Sequence, residues 1–375
     1  MATGSDIDPH GLMEFSVVFT DRSLNHMSKT FQATMNDISS MLKDVYKAEG
    51  VAVVPGGGTY AMEAVARQFA TGHKALVIRN GWFSYRWTQI FEAGDIPASA
   101  TVLNARRVGN HAQAPFAPVP VEEAVEKIKN EKPDVVFAPH VETSAGVILP
   151  DAYIKALTDA VHSYGGLFVL DCIASGCIWV DMEATGVDVL ISAPQKGWSA
   201  SPAAGLVMMR DAAIARLAET QSTSFAVDLG KWYQIMQAYE AGGHAYHATM
   251  PTDALVKFRD AMLETKDIGF DVVKSQQEDL GRRVRSLLSD RGIPSVAASG
   301  FEAPGVVVSY TTDPNMQNGS KFAAEGMQIA AGVPLQVGEG DDFRTFRLGL
   351  FGLDKLQDID GAVAKLEAAL DAVTA

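Results

Sequence analysis

The fold is decided by two apolar runs, LFVLD at Leu167–Asp171 and VDVLISAPQKG at Val187–Gly197. Their first parts, Leu167–Leu170 and Val187–Ile191, have the apolar character of strands that are covered on both faces of a parallel sheet. The first run ends in a carboxylate, Asp171, and the second leads into a turn that carries one lysine, Lys196. Because the carboxyl ends of parallel strands meet at one edge of a sheet, we expect both side chains at that edge, where ligands bind.

Short apolar runs alternate with amphipathic segments of helical length between about residues 50 and 210. This alternation predicts a doubly wound α/β domain with a mostly parallel sheet. Besides the two runs above, the predicted strands are Val51–Val54, Ala75–Ile78, Val135–Ala138 and Gly205–Met209. The predicted helices between them are Ala61–Ala70, Val121–Lys129 and Ala152–His162.

The pattern changes after Pro251 and predicts a smaller C-terminal α+β domain, with a long helix as the connector. We divide the 375 residues into an N-terminal segment (1–45), a large domain (46–255) and a small domain (256–375). The predicted elements of the last part are a long helix, Thr252–Arg291, strands at Gly305–Tyr310 and Thr345–Leu350 with a helix between them, and a final helix, Asp358–Ala372.

Composition limits the classes of partner and the compartment. A net charge of -14 disfavours nucleic acid and anionic membranes, because an acidic surface repels both. No run approaches the ~20 apolar residues of a membrane span, and Met1–Glu14 has no apolar core of a signal peptide. The two cysteines, Cys172 and Cys177, form a poor disulfide framework. We therefore expect a cytoplasmic enzyme, and we predict no metal site.

Asp171 and Lys196 carry the strongest chemical signal. A lysine at the sheet edge would be partly desolvated, which lowers its pKa and favours the neutral amine that attacks carbonyls. A buried carboxylate needs a partner, and a pyridinium N–H is one. Alone, a lysine or an aspartate at a strand end is commonplace, so the signal lies in the pair.

A glycine-rich turn, VPGGGT at Val54–Thr59, follows a strand and opens a helix. Glycines let the backbone approach an anion closely, and the first N–H groups of the helix point toward it. We expect Thr59 to act as N-cap and phosphate ligand together. The spacing fits neither the Walker nor the dinucleotide pattern, and a plain tight turn remains the alternative.

Two further segments follow predicted strands. NGWFSYRW at Asn80–Trp87 is dense in aromatic residues, of which one could stack on a planar cofactor ring. Core packing is the default interpretation for the others, Trp82, Tyr85 and Trp87. HVETSAG at His140–Gly146 offers hydroxyl groups that either bond a ring substituent or cap the next turn.

These segments, in this order, resemble the class V aminotransferases of the fold-type I pyridoxal-phosphate enzymes, particularly the alanine(serine)–glyoxylate group. The resemblance implies pyridoxal 5'-phosphate as the cofactor, with Lys196 as the Schiff-base residue. It further implies phosphate ligands at Gly57, Gly58 and Thr59, ring stacking by Phe83, Thr143 and Ser144 near the ring hydroxyl, Asp171 on the pyridine nitrogen, Ile173 under the ring, and Gln195 beside the lysine.

Two motifs nearer the C-terminus extend the resemblance. YHATMP at Tyr246–Pro251 is similar to a family segment whose Tyr and Thr reach the phosphate in the neighbouring subunit, which implies a homodimer that shares its sites through Tyr246 and Thr249. RLGLFG, starting at Arg347, is similar to the segment whose arginine binds the substrate carboxylate. A surface ion pair of Arg347 with Asp341 or Asp342 is the alternative.

The preferred function is transfer of an amino group between a small amino acid (alanine, serine or glycine) and a 2-oxo acid such as glyoxylate or pyruvate. A dicarboxylate or phosphonate donor is an alternative, and it would need a second cation, such as Arg22 or Arg86. The family usually opens with a Gly-Pro-Gly-Pro turn at the substrate pocket, whereas this chain has GLMEF at Gly11–Phe15. Substrate preference is therefore not fixed by the resemblance.

A lyase of the desulfurase or kynureninase type is the other enzymatic alternative, since one fold hosts several reactions. A desulfurase needs a nucleophilic cysteine on a mobile loop of the small domain, and no cysteine follows Cys177. A cofactor-binding regulator without activity is disfavoured, because Lys196, Asp171 and Arg347 are all present.

Overall fold

A seven-stranded sheet organises the chain in the computed structural model, which describes residues 6–374. Its strand order is β1-β11-β10-β9-β6-β2-β3. The strands are β1 Gly50–Pro55, β2 Lys74–Arg79, β3 Ser99–Asn104, β4 Arg106–Arg107, β5 Phe116–Ala117, β6 Val135–Pro139, β7 Val141–Glu142, β8 Val147–Ile148, β9 Leu167–Asp171, β10 Val189–Ser192, β11 Ala204–Met209, β12 Val306–Tyr310, β13 Ala330–Ala331 and β14 Thr345–Gly349.

Helices precede, connect and follow these strands. They are α1 Lys29–Tyr46, α2 Gly58–Phe69, α3 Trp82–Gly94, α4 Val121–Glu131, α5 Asp151–His162, α6 Met182–Thr185, α7 Asp211–Glu219, α8 Leu229–Glu240, α9 Thr252–Ile268, α10 Phe270–Asp290, α11 Pro314–Gln317, α12 Ser320–Ala324, α13 Leu353–Leu356 and α14 Ile359–Thr374. In the described part of the chain, none of them is both long and apolar enough to cross a membrane.

The large sheet is parallel except for one strand. β10, β9, β6, β2 and β3 pair in parallel, whereas β11 pairs antiparallel with both β10 and β1. Every residue of β6, β9, β10 and β11 is buried, so helices and loops cover both faces. The predicted doubly wound α/β fold with a mostly parallel sheet is confirmed, including all six predicted strands.

Several elements of this part of the chain were not predicted, among them the edge strand β3 and helix α1. The edge strand β3 is largely exposed, so its sequence lacks the apolar run of the inner strands. Helix α1 buries a stripe that includes Phe31, Ile38 and Leu42, and it packs against α8 and α9. Ser28 caps α1, because its side chain accepts a hydrogen bond from the backbone N–H of Phe31.

The C-terminal part contains the predicted smaller α+β arrangement. A three-stranded antiparallel sheet of order β12-β14-β13 packs with α10 and α14 around a second apolar cluster, which includes Phe322, Phe346 and Leu370. The proposed division at residues 255 and 256 stays a prediction, and it falls inside α9.

The single long helix expected over Thr252–Arg291 is wrong. Two helices, α9 and α10, occupy this stretch and meet at Gly269, whose φ of 104° lies in the region that favours glycine. Trp179, from a segment outside the two helices, contacts this junction: its indole N–H donates a hydrogen bond to the backbone carbonyl of Phe270. A glycine within a helical pattern is tolerated often enough that the pattern alone does not reveal the break.

Candidate active site

The strand ends of the large sheet bring the predicted site segments to one edge. Asp171, the last residue of β9, lies opposite Ile191 of β10 on one side and Pro139 of β6 on the other. The carbonyl of Asp171 accepts a hydrogen bond from the N–H of His140, which starts the loop after β6. The turn that carries Lys196 follows β10 at the same edge, as expected for parallel neighbours.

Lys196 is a half-buried amine without an anionic partner. No side chain in residues 6–374 forms an ion pair with it, and its Nζ lies 5.1 Å from the centre of the Phe351 ring. Burial lowers the pKa of Lys196, and the positive charge of Arg347 lowers it further. Both effects favour the neutral amine, which is the nucleophilic form.

The turn that presents Lys196 is fixed by a close backbone approach. A Cβ added at Gly197 would collide with the carbonyl group of Gly176, so only glycine fits between these two loops. Cys177 supports the same contact, because its thiol donates to the carbonyl of Gly197 over 3.3 Å. The backbone next to Lys196 is therefore held in place by these two contacts.

Asp171 is a buried carboxylate with spare hydrogen-bonding capacity. Burial raises the pKa of Asp171 to about 7, and the negative charge of Glu142 adds to the rise. The N–H of Ile173, which donates to Oδ1 over 2.9 Å, and the charge of Arg86 act in the opposite direction. A protonated ring nitrogen beside this carboxylate would lower its pKa and supply the partner that burial demands.

The glycine-rich turn leads into α2 two residues earlier than expected. The helix begins at Gly58 and its N-cap is Gly57, so the prediction that Thr59 is the N-cap is wrong. The carbonyl of Gly57 already accepts from the N–H of Tyr60, which places Thr59 inside the first turn. The Thr59 hydroxyl instead accepts a hydrogen bond from Nη1 of Arg86 over 2.9 Å.

Space around the turn suits an anion and a ring. A Cβ at Gly57 would meet open space, whereas a Cβ at Gly58 would collide with the side chain of Ile173. No side chain caps the first N–H groups of α2, so they remain available to an anion. Ile173 is thereby placed against the start of the helix, half-buried beside Asp171.

Phe83 lies in the first turn of α3, which a buried carboxylate holds. Glu142 accepts hydrogen bonds from the N–H of Phe83, from the N–H and hydroxyl of Ser84, and from the N–H and hydroxyl of Ser144. The Ser144 hydroxyl also accepts from the N–H of Trp82. Ser144 thus supports α3, and its predicted contact with the ring hydroxyl stays a prediction.

Sequence reasoning assigned no role to Glu142 or Phe351. Glu142 stands in the quoted His140–Gly146 segment, and its position before two hydroxyl residues at a strand end was the available signal. A Cβ at Gly81 would collide with the side chains of Ser144 and Glu142, so the glycine at this position is sterically required. Phe351, within the RLGLFG segment, offered no signal beyond its aromatic ring.

Arg347 lies on β14 and reaches the same site from the C-terminal sheet. Its Cζ is 5.5 Å from the centre of the Phe83 ring, and its Nε donates to the carbonyl of Ala331 over 2.8 Å. Burial lowers the pKa of Arg347, while Glu142 opposes this effect. Neither Asp341 nor Asp342 forms an ion pair with it in the described structure, so the predicted alternative of a surface pair does not occur.

Several polar groups near this edge could form further hydrogen bonds. Oε1 of Gln195 is buried without a hydrogen-bond partner among the described residues, which is costly unless a bound group satisfies it. The half-buried Thr143 likewise has no side-chain hydrogen bond in residues 6–374. A cofactor with a phosphate, a ring hydroxyl and a protonated nitrogen fits this set of donors and acceptors.

Four other residues, two predicted cofactor ligands and the two cysteines, add no reactive group to this site. Tyr246 is 54% exposed, and its hydroxyl pairs with that of Thr249 over 3.1 Å. Cys172 and Cys177 are buried and free, and burial raises the pKa of both thiols, that of Cys177 to about 12. Neither cysteine is a ready nucleophile.

The sequence profile described as Aminotransferase class-V matches residues 14–306. The chain belongs to the class-V aminotransferases. As a member of that family it is a pyridoxal-phosphate-dependent aminotransferase with the fold-type I architecture. The aspartate, the lysine and the glycine-rich turn at the sheet edge are the features of this chain that suit such a cofactor.

Relatives match over most of their length. The small subunit of a soluble hydrogenase from Synechococcus sp. is 24% identical and covers 92% of this chain and 87% of its own length. Alanine–glyoxylate aminotransferase 1 from Saccharomyces cerevisiae is 25% identical, with 88% and 86% covered. The 2-aminoethylphosphonate–pyruvate transaminase from Paraburkholderia phymatum is 26% identical, with 89% and 86% covered.

A solved structure shares the fold. Alanine–glyoxylate aminotransferase from Nostoc sp. superposes with a TM-score of 0.75 at 22% identity, covering 93% of this chain and 89% of that one.

Proposed function

We propose that this aminotransferase moves an amino group from a small amino acid, such as alanine, serine or glycine, to a 2-oxo acid such as glyoxylate or pyruvate. The observation that carries the proposal is that Lys196 and Arg347 lie at the same site, where the charge of Arg347 lowers the pKa of Lys196. An amine whose pKa is lowered lies within the electrostatic reach of a guanidinium that no carboxylate neutralises in the described structure. Such an arginine suits the α-carboxylate that amino acids and oxo acids share.

Pyridoxal 5'-phosphate, when bound, supplies the carbonyl that takes up the amino group and the ring that accepts electron density. In our proposal, Lys196 would hold the cofactor and would move the proton at the substrate Cα. Asp171 would keep the ring nitrogen protonated, and Phe83 would stack on the ring. Gly57, Gly58 and Thr59 would hold the phosphate, Gln195 would lie beside the cofactor next to the lysine, and Thr143, Ser144 and Ile173 would contact the ring.

Arg347 would orient the substrate by its carboxylate and so aim the Cα–H bond at the amine of Lys196. The ring of Phe351 lies over the lysine amine and excludes water from one side of it. Less water around the amine favours its neutral form, which is the form that accepts a proton. These roles require only groups that already converge on the sheet edge.

The proposed function is tested by separate half-reactions. Amino acids are mixed with the cofactor-loaded enzyme, and oxo acids with the amine form, while absorbance reports each conversion. We expect alanine, serine or glycine to react much faster than aspartate or 2-aminoethylphosphonate, and glyoxylate or pyruvate to reverse the change. Faster reaction with a doubly anionic donor would contradict the small-donor assignment, and no reaction with any pair would contradict transamination.

A donor with a second anionic group is the other candidate, and one observation favours it. Arg86 also has no carboxylate partner among the described residues and lies near Phe83, so a second cation is present. Arg22 is exposed in the N-terminal segment and offers a weaker case. A lyase that uses a cysteine nucleophile finds no support, because both thiols are buried.

We also propose a homodimer in which Tyr246 and Thr249 reach the partner's site. Their exposure supports this, and so does an apolar surface on the N-terminal segment, where Leu12, Phe15 and Val17 are 91%, 86% and 102% exposed. Apolar groups this exposed are typical of an interface. A cytoplasmic location remains a prediction from cysteine usage.

A further inference from the structure

Arg86 is a cation that the proposed chemistry leaves unused. Its Nη1 donates to the hydroxyl of Thr59, and its Cζ lies 5.3 Å from the centre of the Phe83 ring. Within residues 6–374 no carboxylate forms an ion pair with it, although the chain is acidic overall. A half-buried guanidinium left without an anion indicates a place where an anion binds.

Arg86 and Arg347 mark different ends of the site. Both guanidinium groups lie over Phe83, at 5.3 and 5.5 Å from the ring centre to Cζ. Arg347 exerts its charge on Lys196, whereas Arg86 exerts its charge on Asp171 and bonds Thr59 at the start of α2. Arg347 is therefore at the end where the substrate reacts, and Arg86 is at the end where the glycine-rich turn lies.

The groups expected around the cofactor phosphate carry no positive charge. The glycine-rich turn, Thr59, Tyr246 and Thr249 supply only neutral donors, and the first turn of α2 contains no basic residue. A phosphate carrying about two negative charges gains far more from a guanidinium than from neutral donors alone. The remaining N–H groups of Arg86, next to the one that holds Thr59, are free to donate to it.

We propose that Arg86 is the cation that recognises the cofactor phosphate, with Thr59 fixing the orientation of its guanidinium. This inference rests on the proposed use of pyridoxal 5'-phosphate at Lys196. Arg86 then serves the cofactor and is not available as the second cation for a dicarboxylate or phosphonate donor. It thereby supports a donor with a single anionic group.

The test compares binding of pyridoxal 5'-phosphate and of pyridoxal, which lacks the phosphate. Both are titrated into cofactor-free enzyme, and absorbance of the lysine-bound form gives each dissociation constant. We expect Arg86→Gln to weaken binding of pyridoxal 5'-phosphate about ten- to a hundredfold, the usual loss of a charge-assisted contact, and to leave pyridoxal binding unchanged. Arg86→Lys, which keeps the charge, should recover part of the loss.

Arg67→Gln is the matched control, because it also removes one guanidinium, from an ion pair with Glu63 at the far end of α2. It should change neither constant. Equal affinity of Arg86→Gln and the wild type for pyridoxal 5'-phosphate overturns the inference. So does an equal loss for both ligands, which would indicate a misplaced ring or helix.

A third outcome separates the two assignments of Arg86. If Arg86→Gln keeps cofactor affinity but raises the KM for aspartate or 2-aminoethylphosphonate and not for alanine, Arg86 binds substrate and the inference is overturned. Failure of the proposed cofactor attachment at Lys196 is distinct from all of these, because the wild-type enzyme itself would then bind neither aldehyde covalently. Failure of the small-donor assignment is distinct as well, because it appears in the half-reactions of the wild type and leaves both dissociation constants unchanged.

Discussion

Glu142 and Ser84 are joined by two hydrogen bonds to one carboxylate oxygen, from the backbone N–H over 2.9 Å and from the hydroxyl over 2.6 Å. Together with the N–H of Phe83, which donates to the other oxygen, they tie the start of α3 to the loop after β6. The carboxylate meets the positive end of the α3 dipole, where a negative charge is stabilising. The orientation of Phe83 therefore depends on a residue that does not itself stack on anything.

Glu142→Gln should destabilise the enzyme although it preserves the shape of the side chain. An amide presents one N–H₂ group to donors that need an acceptor, so several buried hydrogen bonds are lost. We expect urea unfolding to show a loss of about 1–3 kcal/mol in the free energy of unfolding. Glu123→Gln, which breaks only the exposed pair with Arg106, should cost less than about 1 kcal/mol. Equal losses in the two variants would show that the five hydrogen bonds of Glu142 stabilise the fold no more than the exposed ion pair does.

The second prediction uses the raised pKa of Asp171 in the cofactor-free enzyme. Below about pH 4 the carboxyl is neutral in both states, and between its ordinary pKa of 3.8 and its folded-state pKa of about 7 only the unfolded chain ionises it. The folded state therefore loses stability as the pH rises through this window. The side chain of the Asp171→Asn variant cannot ionise. Its free energy of unfolding should therefore rise relative to that of the wild type from pH 4 to pH 7, by about 4 kcal/mol at most.

Urea unfolding of both cofactor-free proteins across this pH range measures the difference. Asp188→Asn is a poor control, because Asp188 is bonded to His162; exposed Asp354→Asn serves better. A constant difference between the Asp171 variant and the wild type would mean that Asp171 ionises normally.

The third prediction concerns the control of Lys196 by Arg347. Because the charge of Arg347 lowers the pKa of Lys196, Arg347→Gln should raise that pKa. The rate at which cofactor-free enzyme captures pyridoxal, trapped with borohydride, should then reach its midpoint at a higher pH. Arg344→Gln removes a nearby guanidinium that bonds the carbonyl of Thr312, and it should leave the midpoint in place. An unmoved midpoint in the Arg347 variant would refute the electrostatic link.

Arg347→Lys addresses substrate binding. The charge is kept, but the planar fork that holds a carboxylate with two parallel bonds is lost. We expect the KM to rise about ten- to a hundredfold in both half-reactions, because amino acid and oxo acid present the same carboxylate. A rise confined to one half-reaction would show that Arg347 does not bind the group common to both substrates.

The shared site can be tested by mixing two inactive enzymes. One carries Lys196→Ala, and the other carries Tyr246→Ala with Thr249→Ala. In a two-fold dimer that shares its sites, a hybrid has one intact site, so unfolding and refolding an equal mixture should restore about a quarter of wild-type activity. The unmixed variants, treated in the same way, are the controls. No recovery in the mixture would place each site within one chain.

The inner strands were predictable because burial on both faces leaves a continuous apolar run. β9 and β10 could therefore be read directly, and the meeting of Asp171 with the lysine turn followed from parallel pairing. The edge strand β3 lacks that burial and left no comparable signal. The break at Gly269 was hidden for the opposite reason, because the apolar pattern continues through it and only the tertiary structure sets its positive φ.

At the site, residue types were predictable but hydrogen-bond partners were not. Thr59 was expected as the N-cap because hydroxyl residues prefer that position. The helix starts earlier, however, and the Thr59 hydroxyl accepts a hydrogen bond from Arg86, 27 residues away. Glu142 contacts α3 across a separation of 58 residues at Ser84. Contacts between distant segments depend on the packing of the strands, which no local pattern records.

Every predicted cofactor residue up to Lys196 stands at or beyond a strand end, while the inner strands that lead to these residues are almost wholly buried. Mutations that change the reaction and mutations that threaten folding therefore fall on different parts of the chain. Directed evolution toward a new amino donor should draw its libraries from the half-buried Trp82 and Tyr85 and the exposed segment 11–18, and leave the strands and the buried Gly81, Ser84 and Trp87 untouched. Such libraries should keep a high fraction of folded members, and that fraction can be counted before any activity is selected.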